Sequence, residues 1–233
     1  MISGVADPGA KRGAAAPSGD DHPPDCGVPA VDFRSLEEVP AYEVAQRLAL
    51  KPHREGGYFR ETYRSPVEVA TDAGPRPVST AILYLLTQSD PSRLHRLRRD
   101  ELWFYHAGAP AELVLLAPPL VKRIEDAPAA PGAGLDPQPF TTQVIGLDRP
   151  QAVVPAYYWA AARVLTEDQT DWGTGRAPER RWTADRRAAP ELHWTLVSCV
   201  VSPGFEYEDF ELADRKTLLR QFPQARAVIK ALT

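Results

Sequence analysis

Two imidazoles, two carboxylates and a phenol fall close together in His95-Arg-Leu-Arg-Arg-Asp-Glu101-Leu-Trp-Phe-Tyr105-His106-Ala-Gly108. Two chemistries are open to such a set. A divalent transition ion needs three or four N, O or S donors converging on it. If a metal binds, His95, Glu101 and His106 are its candidate ligands; Leu97 offers no donor beside His95. Without a metal, an imidazole near a carboxylate and a phenol can move a proton next to a carbonyl, its pKa tuned by burial and neighbouring charge.

The metal-free reading is preferred, with no cofactor. His95 is the base, Glu101 orients or charges it, and Tyr58 and His106 complete the catalytic candidates. Arg60 offers a planar fork for a carboxylate, phosphate or enolate oxygen. Tyr63, Tyr84, Trp103, Tyr105 and Trp159 are the other candidate substrate contacts, the tyrosines doubling as proton donors. Each residue also has a plainer explanation. A backbone carbonyl can satisfy His95, Glu101 can pair with Arg98 or Arg99, and Trp103 and Trp159 can simply fill a core. His53 precedes the Glu55-Gly56-Gly57 turn and reads as its stabiliser. The two glycines serve the backbone, because no helix follows them to hold a phosphate.

The elements that must position these groups are mostly short strands. Ser79–Thr87 is a nearly continuous apolar run, expected to be a strand buried on both faces. Leu102–His106 and Glu112–Leu116 flank Gly108-Ala-Pro110, which reads as a turn between paired strands. Thr141–Leu147, Gln151–Pro155, Tyr158–Leu165 and Trp194–Val201 supply further strands. Many short strands punctuated by Gly and Pro point to a sandwich or barrel. Helical spacing is confined to the ends. Ala41, Val44, Ala45 and Leu48 follow Pro40; Leu218, Leu219 and Phe222 follow a capping Asp214; Ala225, Val228, Ile229 and Leu232 follow Pro223.

Residues 1–30, rich in Gly, Ala, Pro and Asp, are expected to be a disordered tail before a single domain over 31–233. Loop insertions are expected near 118–139 and 167–191, the second carrying Trp172 and Trp182 as a lid or interface would. A net charge of −4, with its basic residues scattered, favours neither nucleic acid nor an anionic membrane. Two cysteines, one in the tail and one in an apolar run, read as free thiols in a reducing cytoplasm. No segment approaches the roughly 20 apolar residues of a membrane helix.

Four segments in order carry a family resemblance. They are Pro52-His-Arg-Glu-Gly-Gly-Tyr-Phe-Arg-Glu-Thr-Tyr-Arg-Ser65, the His95–Gly108 stretch, expected to be a hairpin, Gln151-Ala-Val-Val-Pro155 with Trp159-Ala-Ala, and Leu196–Ala213. Together they resemble the small cupin subfamily sometimes called cupin-five, formerly a domain of unknown function, over about residues 33 to 215. The resemblance implies an all-β fold with short flanking helices, a double-stranded β-helix or cupin jelly-roll barrel. It further implies a homodimer with a small-molecule pocket at the barrel mouth. Relatives commonly carry His and Tyr where this chain has Phe104 and His106, and a Gly and a polar residue where it has Tyr157 and Ala160. The expected function is a metal-independent isomerase, epimerase or lyase of bacterial secondary metabolism. The alternatives are a non-catalytic metabolite-binding cupin and a metal-dependent cupin oxygenase or isomerase.

Overall fold

The structure, a computed structural model, describes residues 32, 36, 39–118, 140–166 and 193–233. The expected tail and the two insertions, with Trp172, Trp182 and Cys26, lie outside the described residues.

The strands are β1 (Lys51–Pro52), β2 (Tyr58–Arg64), β3 (Glu68–Thr71), β4 (Gly74–Pro77), β5 (Thr80–Thr87), β6 (Ser92–Leu97), β7 (Asp100–Gly108), β8 (Ala111–Leu116), β9 (Thr141–Ile145), β10 (Gln151–Val154), β11 (Trp159–Val164), β12 (Trp194–Ser202) and β13 (Phe210–Leu212). Three helices flank them: α1 (Ala41–Arg47), α2 (Arg215–Gln221) and α3 (Arg226–Ala231). A six-stranded sheet runs β1-β2-β5-β12-β7-β10 and a five-stranded sheet runs β13-β6-β11-β8-β9, with β3-β4 a separate hairpin. All pairings are antiparallel. This is the jelly-roll barrel, mostly β with short flanking helices.

The strand sequences explain the layering, since alternate side chains point to opposite faces. On β5, Tyr84 and Leu86 enter the core between the sheets, while Leu83 and Leu85 face outward. Ala41, Val44, Ala45 and Leu48 of the α1 region bury against that outer face. On the five-stranded sheet, Leu113, Leu115, Ala160, Ala162 and Val164 face inward. Leu94, Val114, Leu116 and Trp159 face outward beneath Leu218, Phe222, Val228 and Ile229 of the C-terminal helices. Asp214 caps α2, accepting from the Thr217 N–H at 2.9 Å.

Two expectations need correction. β7 and β8 are joined by the Gly108-Ala-Pro110 turn but do not pair: β7 lies between β12 and β10, and β8 between β11 and β9. Nor is the His95–Gly108 stretch a paired hairpin, because β6 and β7 belong to different sheets. In both cases the connection crosses from one layer to the other, as closing two sheets around one core requires. Local turn signals show where a strand ends but not which layer receives the next one.

Candidate active site

His95 on β6 and Glu101 on β7 come together because their strands face each other across the barrel. His95 is 3% exposed and Glu101 7%, so both are inside. The His95 Nδ1 lies 2.9 Å from the Arg93 carbonyl oxygen, an acceptor only, so this nitrogen carries the proton. In the neutral ring Nε2 is then the proton acceptor. Glu101 accepts from the Trp103 indole N–H at 2.8 Å and pairs with neither arginine that follows β6. Arg98 turns to Asp209 and Arg99 to Asp72.

Glu55, not among the candidate site residues read from the sequence, joins the cluster. Its Oε1 accepts from the Ser92 hydroxyl at 2.9 Å, and its Oε2 lies 3.4 Å from His95 Nδ1 and 3.5 Å from His53 Nδ1. The turn after it drives the carboxylate inward. Gly56 has φ 113° and Gly57 φ 66°, and a Cβ on Gly56 would lie 2.1 Å from the Pro91 carbonyl oxygen. Glycine alone permits that approach. Hydrogen bonds from Gly57 N to Asp90 and from Arg93 N to the Glu55 carbonyl, both 2.8 Å, then clamp the turn onto the β5–β6 connection.

Aromatic rings enclose these groups. His53 lies edge-on to Phe59 at 4.5 Å and to Tyr84 at 5.8 Å, and Phe210 stacks on His95 at 5.4 Å. Tyr84 donates its hydroxyl to the Gly56 carbonyl at 2.8 Å and meets Trp103 edge-on. His53 is therefore more than a turn residue, although its Nδ1 does accept from the Glu55 N–H at 3.4 Å.

Burial sets the protonation states. The Glu101 carboxyl is pushed up to about 7, first by burial, against the opposing pull of His95 and with a further push from Glu55. Burial also raises the Cys199 thiol and the Tyr84 phenol well above their ordinary values, so both stay protonated near neutrality. The negative charges of Glu101 and Glu55 push the Cys199 thiol up further. Burial lowers His53, opposing the charge of Glu55.

The other candidates lie elsewhere. Tyr58 pairs with Leu85 and Arg60 with Leu83, so both stand on the outer face of the six-stranded sheet; Arg60 donates to the Leu48 carbonyl there. Tyr63 follows a bulge in β2, pairs with Ala81 and is half exposed. His106 bonds Ser198, whose neighbours Val197 and Cys199 point into the core, so His106 faces outward. Phe104 pairs with Ser198 on that same outer face. Trp159 packs under the C-terminal helices with Arg96 across its ring, while Tyr158 takes the inner position. Tyr105 pairs with the inward Val197, and its hydroxyl donates to the Gly108 carbonyl. Of the sequence-derived set, the structure brings together His95, Glu101, Tyr84 and Trp103. It adds Glu55, His53, Ser92, Cys199 and Phe210. For Cys199 and Phe210 the strand alternation was the available signal; for Glu55 there was none.

Cupin barrels commonly hold a metal, and these residues do not fit one. His106 is on the wrong face and Leu97 has no donor, which leaves the candidate set two donors, His95 Nε2 and Glu101. Among the described residues, no group of three or more His, Cys, Asp or Glu is arranged to hold a metal ion. Beside the cluster, an open groove of about 620 Å³ runs past the buried Arg76–Asp209 ion pair, lined also by Arg98, Glu206 and Glu208. It includes none of the cluster residues.

Two solved structures, from Leishmania major and Shewanella oneidensis, agree with this architecture. A Leishmania major protein described as hypothetical is 32% identical with a TM-score of 0.61, covering 83% of this chain and 98% of its own. A Shewanella oneidensis protein is 28% identical with a TM-score of 0.58, covering 83% and 97%. A cupin 2 conserved barrel domain protein from Rhodopseudomonas palustris is 10% identical with a TM-score of 0.42, covering 78% and 87%. No curated protein matches the chain. The model of the Cupin_5 family of the cupin superfamily, DUF985, matches residues 42–213, and the chain belongs to that family.

Proposed function

We propose that this small-molecule-binding barrel is a metal-independent isomerase, epimerase or lyase. The observation that carries the reading is the buried pairing of His95, whose Nε2 is the proton acceptor, with a Glu101 carboxyl that titrates near neutrality. A carbonyl oxygen of the substrate accepts a proton from Glu101 while His95 Nε2 removes the proton from the adjacent carbon, giving an enol. Return of a proton to the other face inverts the centre, return to another atom isomerises, and loss of a β-substituent eliminates. Glu55, within 3.4 Å of His95, stabilises the imidazolium formed in the first step. General acid–base catalysis of this kind contributes roughly 10²- to 10⁴-fold.

The remainder of the proposal is a homodimer, which the resemblance implies, working in the reducing cytoplasm that the two scattered cysteines favour, on a metabolite of bacterial secondary metabolism. No helix among the described residues is long and apolar enough to cross a membrane.

The test is deuterium exchange from solvent into the carbon acids of a panel of small carbonyl compounds, followed by NMR on untagged protein. Exchange that disappears in His95→Ala supports the reading. Ligand binding that survives His95→Ala, with no exchange anywhere in the panel, makes the protein a non-catalytic metabolite-binding cupin instead. Stoichiometric iron, nickel, manganese or zinc that resists chelation would overturn the metal-free mechanism.

A further inference from the structure

We propose that the end of the ligand reaching His95 and Glu101 is uncharged or cationic, and that a carboxylate or phosphate is refused there. This inference rests on the reading of His95 and Glu101 as the reacting pair and names the substrate class.

The charges built into the barrel carry it. Two carboxylates, Glu55 and Glu101, are buried beside the imidazoles of His53 and His95. Among the described residues, the cations are placed to serve other groups. Arg60, Arg96 and Arg163 lie on the outer faces of the sheets, bonded to the Leu48 carbonyl, Glu211 and Glu112. Arg93 donates to the backbone carbonyls of Arg54 and Glu55. Lys51 and Arg54 stand at the rim, 5.0 Å over the Phe59 ring and 4.3 Å over the Tyr207 ring. The charged neighbours that act most on Glu101 are His95 and Glu55.

An anion entering this site would meet like charge, and the buried guanidinium nearby, Arg76, is already held by the Asp209 carboxylate at 2.8 Å. At a spacing of about 5 Å and an effective dielectric of about 20, that repulsion disfavours binding on the order of a hundredfold. An uncharged carbonyl or hydroxyl meets no such opposition, since Glu101 can donate to it when protonated and accept from it when ionised. The rings of Tyr84, Trp103, Phe59 and Phe210 favour an apolar body, and their faces tolerate a cation. An anionic substituent finds its partners at the rim, on Lys51 and Arg54. The sequence-based role of Arg60 as an anion clamp fails for the same reason: its strand position turns it outward.

Three compact probes test this: isobutyramide, isobutylammonium and isobutyrate, titrated into the ¹⁵N-labelled full chain at about pH 8.5, above the Glu101 value. The readout is the Trp103 indole N–H, which bonds Glu101 and is assigned through Trp103→Phe. The amide and the ammonium are expected to move this signal at concentrations at least about tenfold lower than isobutyrate needs. In Glu101→Gln, isobutyrate is expected to gain at least about tenfold. Isobutyrate acting as readily as the amide on the unmodified chain would overturn the charge inference alone. Silence from all three would overturn the site reading itself, and this inference with it.

Discussion

The Oε2 of Glu55 lies 3.4 Å from the Nδ1 of His95, joining a turn of the N-terminal signature to a strand of the opposite sheet. Neither residue points at the other in the sequence. The contact depends on Gly56 and Gly57, whose backbone lets the turn settle against Pro91. In the proposed mechanism one carboxylate, at Glu55, holds the imidazole and a second, at Glu101, exchanges the proton.

Glu55→Gln keeps an acceptor for the Ser92 hydroxyl and should fold. Glu55→Ala leaves that hydroxyl unsatisfied and should cost about 1–3 kcal/mol in urea denaturation. On the proposed mechanism, Glu55→Gln should slow deuterium exchange by about tenfold or more, because the imidazolium loses its counter-charge. His106→Asn, altered on the outer face, should leave the rate within about twofold.

Glu101 makes stability fall as pH rises. Its folded value, about 7, lies above the ordinary 4.5, so between those values the folded protein holds more protons than the unfolded chain. Its contribution is therefore most favourable below about pH 4.5 and is lost as pH passes through about 7. The full loss is on the order of 3 kcal/mol. Denaturation of the parent and of Glu101→Gln at a series of pH values should show the variant more stable above neutrality, with a flatter profile. A parent profile that rises through this window would contradict the buried, proton-hungry carboxyl.

Leu97 shares the inner face of β6 with His95 and is buried. An imidazole there would add a third donor beside His95 Nε2 and Glu101, matching the three protein ligands of a catalytic metal centre. Leu97→His should bind Co²⁺ at least about tenfold more tightly than the parent, read by visible absorption, with a further loss on His95→Ala.

Tyr157 adopts φ 66° and is largely exposed. The family resemblance implies Gly at this position, and the backbone here adopts a conformation that favours glycine. Left-handed geometry costs an ordinary residue about 1–2 kcal/mol, partly offset by the entropy that Gly loses on folding. Tyr157→Gly should therefore raise the stability by up to about 1 kcal/mol, measured as the shift of the urea midpoint.

Much of the barrel was legible in the chain. The α1 face, the doubly buried β5 and the Asp214 cap follow from local periodicity and capping chemistry, which act over a few residues and survive in any tertiary setting. Strand alternation also fixes which side chains share a face. Glu101 and His106 differ by an odd number of positions, so they point to opposite faces, and the same parity makes Ala160 inward and Trp159 outward. The hairpin β3–β4 around Asp72-Ala-Gly74 was missed because its strands are short and polar, without the apolar alternation that marks a core-facing pair.

The sequence by itself determined the element types, the family and the identity of the groups able to move a proton. Only the tertiary structure decided which of them meet. Strand order and the assignment of β6, β7 and β8 to separate sheets are long-range outcomes of closing two layers around one core. No residue spacing encodes that Glu55 reaches His95, or that Tyr58 and Arg60 turn away from it. A buried carboxylate acquires its chemistry from what excludes water around it, and that enclosure exists only once both sheets are in place.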